Sequence, residues 1–413
     1  MGGDDRYRTI GYLKIWRTWT SIVNNYNCPL TRKVGGNIIL TNSKQQTLRS
    51  KTRQSNFELL RIVSMLMIVF YHSFYHLKIG KVPASQTPFS MNLVIGYLLG
   101  SWGLVGVGCF FLVSAHFLIG RSKSFGIKKI LRLILQVIFW SFIMLAISIE
   151  LYVYPGGSGT VAILKGIIKA VLSPFSGTYW FITAYIFMYI LYPFMNYIID
   201  KLSDTFYRKL IIILTIIVPL YTFCRNQNLT SCDLGIAIYY YLLCGYLKRN
   251  PNNFFERHAN SIFWVSSLLT VLLEIMCNLI KPLTGPGIGR LQERNSVFAI
   301  ITAISLFYIF KNLKIKPSTL INVVAKGTLG VYLFHESVFW NESLWNKLLN
   351  LDAYFKNSAN YILVYIGSVL LIYFVATVID LIRLNLLEKP LFSIKLPLLE
   401  RLFNKFDSYI KSE

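Results

Sequence analysis

Acidic residues are scarce in this chain: 18 Asp and Glu stand against 42 Lys and Arg, and charged residues make up only 15% of its 413 positions. So little charge excludes the mixed polar surface of a soluble protein of this length. Cysteine is sparse too. The six cysteines, Cys28, Cys109, Cys224, Cys232, Cys244 and Cys277, form no Cys-x-x-Cys and have no paired histidines nearby, which excludes a structural zinc module. Cys224 and Cys232 bracket one loop and are the pair that a disulfide would join. Gly-Asp-Ser, the nucleophile motif of a hydrolase-like transferase domain, is missing. Residues 1–56 lack the continuous apolar core of a cleavable signal peptide. No internal repeat suggests the inverted halves of a transporter.

What abounds is apolar surface, at 54% hydrophobic residues and a mean hydropathy of +0.51. A helix crossing a bilayer takes roughly 20 mostly apolar residues. Apolar stretches lie near 57–77, 92–119, 130–153, 179–199, 208–224, 234–247, 260–280, 295–311, 321–340 and 360–386. The expected fold is therefore an all-α integral membrane protein with about ten transmembrane helices. Three regions follow: a basic amino segment 1–55, a membrane domain 56–386 and a short basic tail 387–413. In the amino segment Tyr12, Ile15, Trp16, Trp19, Ile22 and Val23 recur at helical spacing, as in a helix lying on the inner leaflet. Residues 160–172, TVAILKGIIKAVL, are too short and too basic to span and read as an interfacial or re-entrant helix.

With the amino end inside, 31 Lys and Arg fall in inner segments and 10 in outer ones. That asymmetry orients the chain with both ends cytoplasmic. It also accounts for much of the net charge of +24 through topology and anionic lipid, without nucleic acid as a partner.

Ionisable groups inside spans are costly and mark function. The first span holds two, Arg61 and His72, eleven positions apart. At about 100° and 1.5 Å per residue they share one helix face within roughly 20°, about 16 Å apart along it. His76 follows His72 at i+4, a spacing that can bind zinc on a helix, but no glutamate follows His72 as in H-E-x-x-H, and no metal site is expected. Lys128, Lys129 and Arg132 form a cationic mouth suited to phosphates. Glu150, Glu274 and Asp380 are carboxylates in or near spans that could fix the tautomer of His72 or pair with a cation.

The order of motifs resembles the acyltransferase-3 family of membrane acyltransferases, in particular its polysaccharide O-acetyltransferase branch. The likeness runs through Arg61 and His72, GVGCFFLVSAHFL at 106–118, IKKILRLILQVIFW at 127–140, TYWFITAYIFMYILYPFMN at 178–196, YYYLLCGYLKR at 239–249 and GTLGVYLFHES at 327–337. Two departures stand out. Ser114-Ala115-His116-Phe117 replaces Ser-Gly-Tyr-Phe, and Lys129 with Arg132 replaces a pair of arginines, keeping charge but losing one bidentate fork.

The resemblance implies a multi-pass protein of the bacterial plasma membrane. It implies acetyl-coenzyme A, or another acyl-coenzyme A, as cytoplasmic donor and a hydroxyl of a saccharide or lipid-linked glycan as acceptor. His72 is then the general base, since an imidazole with a pKa near 6.5 takes a proton around neutral pH; an acyl-histidine intermediate is the alternative. Arg61 acts with it. Lys128, Lys129 and Arg132 bind the donor, and Tyr179, Trp180, His335 and Glu336 the acceptor. A transporter or flippase for a lipid-linked glycan is the competing reading, because buried charges among many spans also suit a permeation path.

Overall fold

The computed structural model describes residues 53–77, 90–121, 127–224, 233–279, 296–357 and 359–393, with 405 and 408. The basic amino segment with its amphipathic pattern, and Cys232 of the suggested disulfide, lie outside them. Among the described residues there are helices and turns and no strand. Lipid offers the backbone no partners, so each crossing segment must satisfy its N–H and C=O groups within itself.

The helices, in order, are α1 Ser55–Tyr75, α2 Met91–Gly100, α3 Gly103–Leu118, α4 Ile127–Glu150, α5 Thr160–Leu172, α6 Trp180–Lys201, α7 Asp204–Cys224, α8 Asp233–Arg249, α9 Ala259–Leu279, α10 Val297–Asn312, α11 Thr319–Val324, α12 Thr328–His335 and α13 Tyr361–Arg383, with shorter turns between them. Six helical stretches are long and apolar enough to cross a membrane: α1, α2 with α3, α4, α6, α9, and α13 with its continuation to Leu391. α10, at 16 residues, is apolar but shorter.

Six of the about ten expected spans are supported in this way among the described residues, and one of the others is broken. The apolar stretch 321–340 is not one helix, because a 3₁₀ turn at Ala325–Gly327 separates α11 from α12, and α12 ends at His335. Thus His335 and Glu336 sit where a broken helix ends, not within a continuous crossing. The stretch 92–119 is split by a turn at Ser101–Trp102. The 13 residues 160–172 do form a helix, α5, whose Val161, Leu164, Ile167, Ile168, Val171 and Leu172 remain exposed.

Side-chain bonds sort the connecting segments into two ends. At one end Ser55 bonds to Asn322 and Asn56 to the carbonyls of Phe310 and Lys311, Lys311 pairs with Glu256, Arg249 pairs with Asp204, and Lys248 reaches the carbonyls of His116 and Ile119. These are segments that the charge asymmetry assigns to the inner side. At the other end the carbonyl of His76 accepts from Asn346, and that of Val153 from Ser343.

Close approach depends on glycine at two places. A Cβ at Gly106 of α3 would come within 2.5 Å of the Ser64 carbonyl of α1, and one at Gly330 of α12 within 2.5 Å of the Asp380 side chain of α13. Small residues at such crossings replace the hydrophobic driving force that lipid removes. Asp380 itself is 1% exposed and accepts from Arg383 Nε at 2.7 Å, Trp140 Nε1 at 2.8 Å and Gln136 Nε2 at 3.1 Å, while Arg383 also holds Glu388 at 2.7 Å. This buried network ties α13 to α4 and, through Gly330, to α12. Asp380→Ala would leave Arg383 short of its buried partner, and is expected to cost about 3–5 kcal/mol of stability. Thermal unfolding in detergent measures it, with Asp380→Asn expected to be milder because an acceptor oxygen remains.

Candidate active site

α1 carries His72 one turn before its end, and His76 caps that helix. α12 brings His335 to its last residue and Glu336 to its C-cap. Tyr365 of α13 donates to the Phe70 carbonyl at 2.6 Å, which secures the last turns of α1 against α13. Three of the chain's five histidines thereby come together, two of them on one carboxylate.

The hydrogen bonds assign the tautomers. His335 Nδ1 lies 2.6 Å from the Val331 carbonyl, which can only accept, so that nitrogen carries the proton and Nε2 carries the lone pair. His72 Nδ1 stands 3.0 Å from His335 Nε2 and 3.3 Å from Glu336 Oε2, two acceptors. It is therefore the protonated nitrogen of His72. The lone pair falls on His72 Nε2, the nitrogen left for chemistry. His76 Nε2 donates to the same Glu336 oxygen at 3.1 Å. The carboxylate thus bridges two imidazoles.

Aromatic rings wall this cluster. Tyr332 has its centroid 6.1 Å from His335 and 6.4 Å from His72, and lies 6.0 Å from both Tyr179 and Phe181. Trp345 stands 6.4 Å from His335. Tyr179 is fully buried. Trp180 is half-buried against Phe181. Of the four residues expected at the acceptor, His335 and Glu336 touch His72, Tyr179 joins through Tyr332, and Trp180 stands one ring further out.

Arg61 lies towards the start of α1, and its guanidinium holds Glu58 at 2.9 Å, a carboxylate that Arg53 also approaches at 3.4 Å. Lys326 of the 3₁₀ turn feels the charges of Arg53, Lys389 and Glu58. A cationic cluster around a buried glutamate therefore occupies the end of α1 remote from His72. Lys128, Lys129 and Arg132 occupy exposed positions on the first turns of α4. Of the three carboxylates that could fix His72 or pair with a cation, none fixes His72 and Asp380 pairs with a cation, Arg383. Glu274 accepts from Ser101 at 2.7 Å, Asp380 belongs to the Arg383 network, and Glu150 is exposed at the end of α4. Glu336 takes that place.

Sequence reasoning missed Glu58, Arg53, Lys326 and Tyr332. A signal existed for Tyr332, which precedes His335 by three residues and so shares its helix face. The partnership of Lys326 with α1 spans about 270 positions of sequence and has no local trace.

No curated protein and no solved structure matches the chain. A family model described as an acyltransferase domain, that of the acyltransferase-3 family, matches residues 54–380, which takes in α1 with His72, α12 with His335 and most of α13. The chain belongs to this family and is a membrane acyltransferase.

Proposed function

We propose that the protein is an O-acyltransferase that moves an acetyl or other short acyl group from cytoplasmic acyl-coenzyme A to a hydroxyl of a cell-surface or lipid-linked saccharide. The observation that carries this reading is the pairing of His72 with Glu336 in a chain of this family. The cationic end with Arg53, Arg61 and Lys326, together with Lys128, Lys129 and Arg132, faces the cytoplasm and receives the donor's phosphates. From there the pantetheine arm runs along α1 to the histidines, about 16 Å away by helix rise. The aromatic wall of Tyr179, Tyr332 and Trp345 gives a sugar ring flat faces to stack on, as apolar pockets with a few polar groups do for other ligands.

The chemistry then balances without further reagents. His72 Nε2 takes the proton of the acceptor hydroxyl as its oxygen attacks the thioester carbonyl. The carbon–sulfur bond of the tetrahedral intermediate breaks, and the imidazolium returns the proton to the departing thiolate. Glu336 keeps Nδ1 protonated and offsets the positive charge between the two transfers, as the carboxylate does in a Ser-His-Asp triad.

Mass spectrometry of surface glycans from cells with and without the protein tests the reading. The expected result is loss of one acyl mass per modified unit when the protein is absent. Unchanged glycan mass, with glycan movement across proteoliposomes that contain the protein, would replace the enzyme by a flippase.

A further inference from the structure

The same cluster has the geometry of a transition-metal site. His72 Nδ1, His335 Nε2 and Glu336 Oε2 converge so that the three atoms lie within 4.8 Å of one another, with edges of 3.0 Å between the imidazoles and 3.3 Å from His72 to the carboxylate. Zinc bonds of about 2.0–2.1 Å arranged tetrahedrally set ligand atoms roughly 3.3 Å apart, so the two edges at His72 already suit the ion and the third, within 4.8 Å, closes by at most about 1.5 Å. Supporting contacts are also in place. His335 already offers its lone pair at Nε2 because Val331 holds Nδ1–H, the outer-shell arrangement that fixes a metal-bound histidine. His76 steadies the carboxylate, and its Nδ1 is buried without a partner among the described residues, which leaves spare ligand capacity beside the site. His72 and Glu336 side chains retain 12% and 20% exposure, enough for an ion to enter. The i,i+4 histidines alone carry no such site; it arises because α12 delivers a histidine and a glutamate from more than 250 residues away.

We propose that His72, His335 and Glu336 form an inhibitory zinc site, at which a divalent transition-metal ion competes with acyl transfer. The inference rests on the proposed general-base role of His72. When Nδ1 ligates the metal, the single proton of the neutral ring moves to Nε2, and the nitrogen that would accept the hydroxyl proton becomes a donor. The metal also takes the Glu336 oxygen that stabilises the imidazolium. Binding and base catalysis therefore exclude each other at the same ring.

Co²⁺ and Zn²⁺ titrations of the purified full-length protein test this, read by the visible absorption of bound Co²⁺ and, separately, by acyl transfer. The expected result is one Co²⁺ per chain in a low-symmetry site, displaced by Zn²⁺, with transfer reduced at least tenfold at saturating Zn²⁺ and restored by chelator. Glu336→Gln and His335→Gln should each weaken Co²⁺ binding by at least tenfold, read without reference to activity. Wild-type protein that binds no Co²⁺ at this site, while His72→Ala still abolishes transfer, would overturn the metal site and leave the base intact. Protein that is inactive after chelation and regains transfer with Zn²⁺ would overturn both the inhibitory role and the metal-free base.

Discussion

His72→Ala is expected to lower acyl transfer by at least about 10²-fold, the lower range for a missing general base, while acyl-coenzyme A still binds. The expectation follows from position. The bonds of His72 to His335 and Glu336 are made at Nδ1, whereas the cationic cluster stands at the far end of α1. Arg61→Ala should fail in the opposite way, chiefly weakening donor binding. Because Arg61 also pairs with the buried Glu58, variants need matched thermal stability before their kinetics are compared. Arg61→Lys should rescue only in part, since an ammonium lacks the planar fork. Equilibrium binding of acyl-coenzyme A and single-turnover transfer, measured on the same preparations, separate the two roles.

Glu336→Gln carries the second large effect, a loss of about 10²–10⁴-fold in the transfer step. A carboxylate that fixes a catalytic imidazole contributes on this scale in the serine-protease triad, where the amide replacement installs the wrong tautomer. A glutamine NH₂ placed at the Oε2 position would donate towards His72 Nδ1 and draw the proton onto Nε2. Glu336 is a positioning residue on this account. A purely structural role would lower protein yield or raise KM. Positioning predicts a normal KM, a depressed kcat and partial recovery in Glu336→Asp, which restores the charge at a slightly longer reach. A Glu336→Gln variant with wild-type kcat would remove the carboxylate from the mechanism.

How much of this was legible in the sequence depends on how far apart the contributing residues lie. The membrane character follows from composition, but run length suggests about ten spans where six helical stretches are long and apolar enough among the described residues, and the short, basic 160–172 does form a brief helix. Arg61 and His72 could be placed on one face because helix periodicity is local. The break at Ala325–Gly327 was hidden inside an apolar run, where hydropathy alone cannot tell a continuous helix from two short ones. Glu150, Glu274 and Asp380 stand out in the sequence as acids in apolar surroundings, whereas nothing local links Glu336 to His72, 264 positions earlier. Contacts such as Glu336 to His72, and Asn322 to Ser55, depend on tertiary packing that a single sequence does not encode locally.

The central claim is that this chain forms an ester on a saccharide at the expense of a thioester, with His72 as the base. The most direct measurement is a single turnover by purified protein in lipid nanodiscs, given labelled acetyl-coenzyme A and surface glycan from cells that lack the protein. The predicted result is label on a glycan hydroxyl with one free coenzyme A released per ester formed, lost by at least about 10²-fold in His72→Ala. Unconsumed donor in the wild type, or equal label transfer by His72→Ala of matched stability, would contradict it.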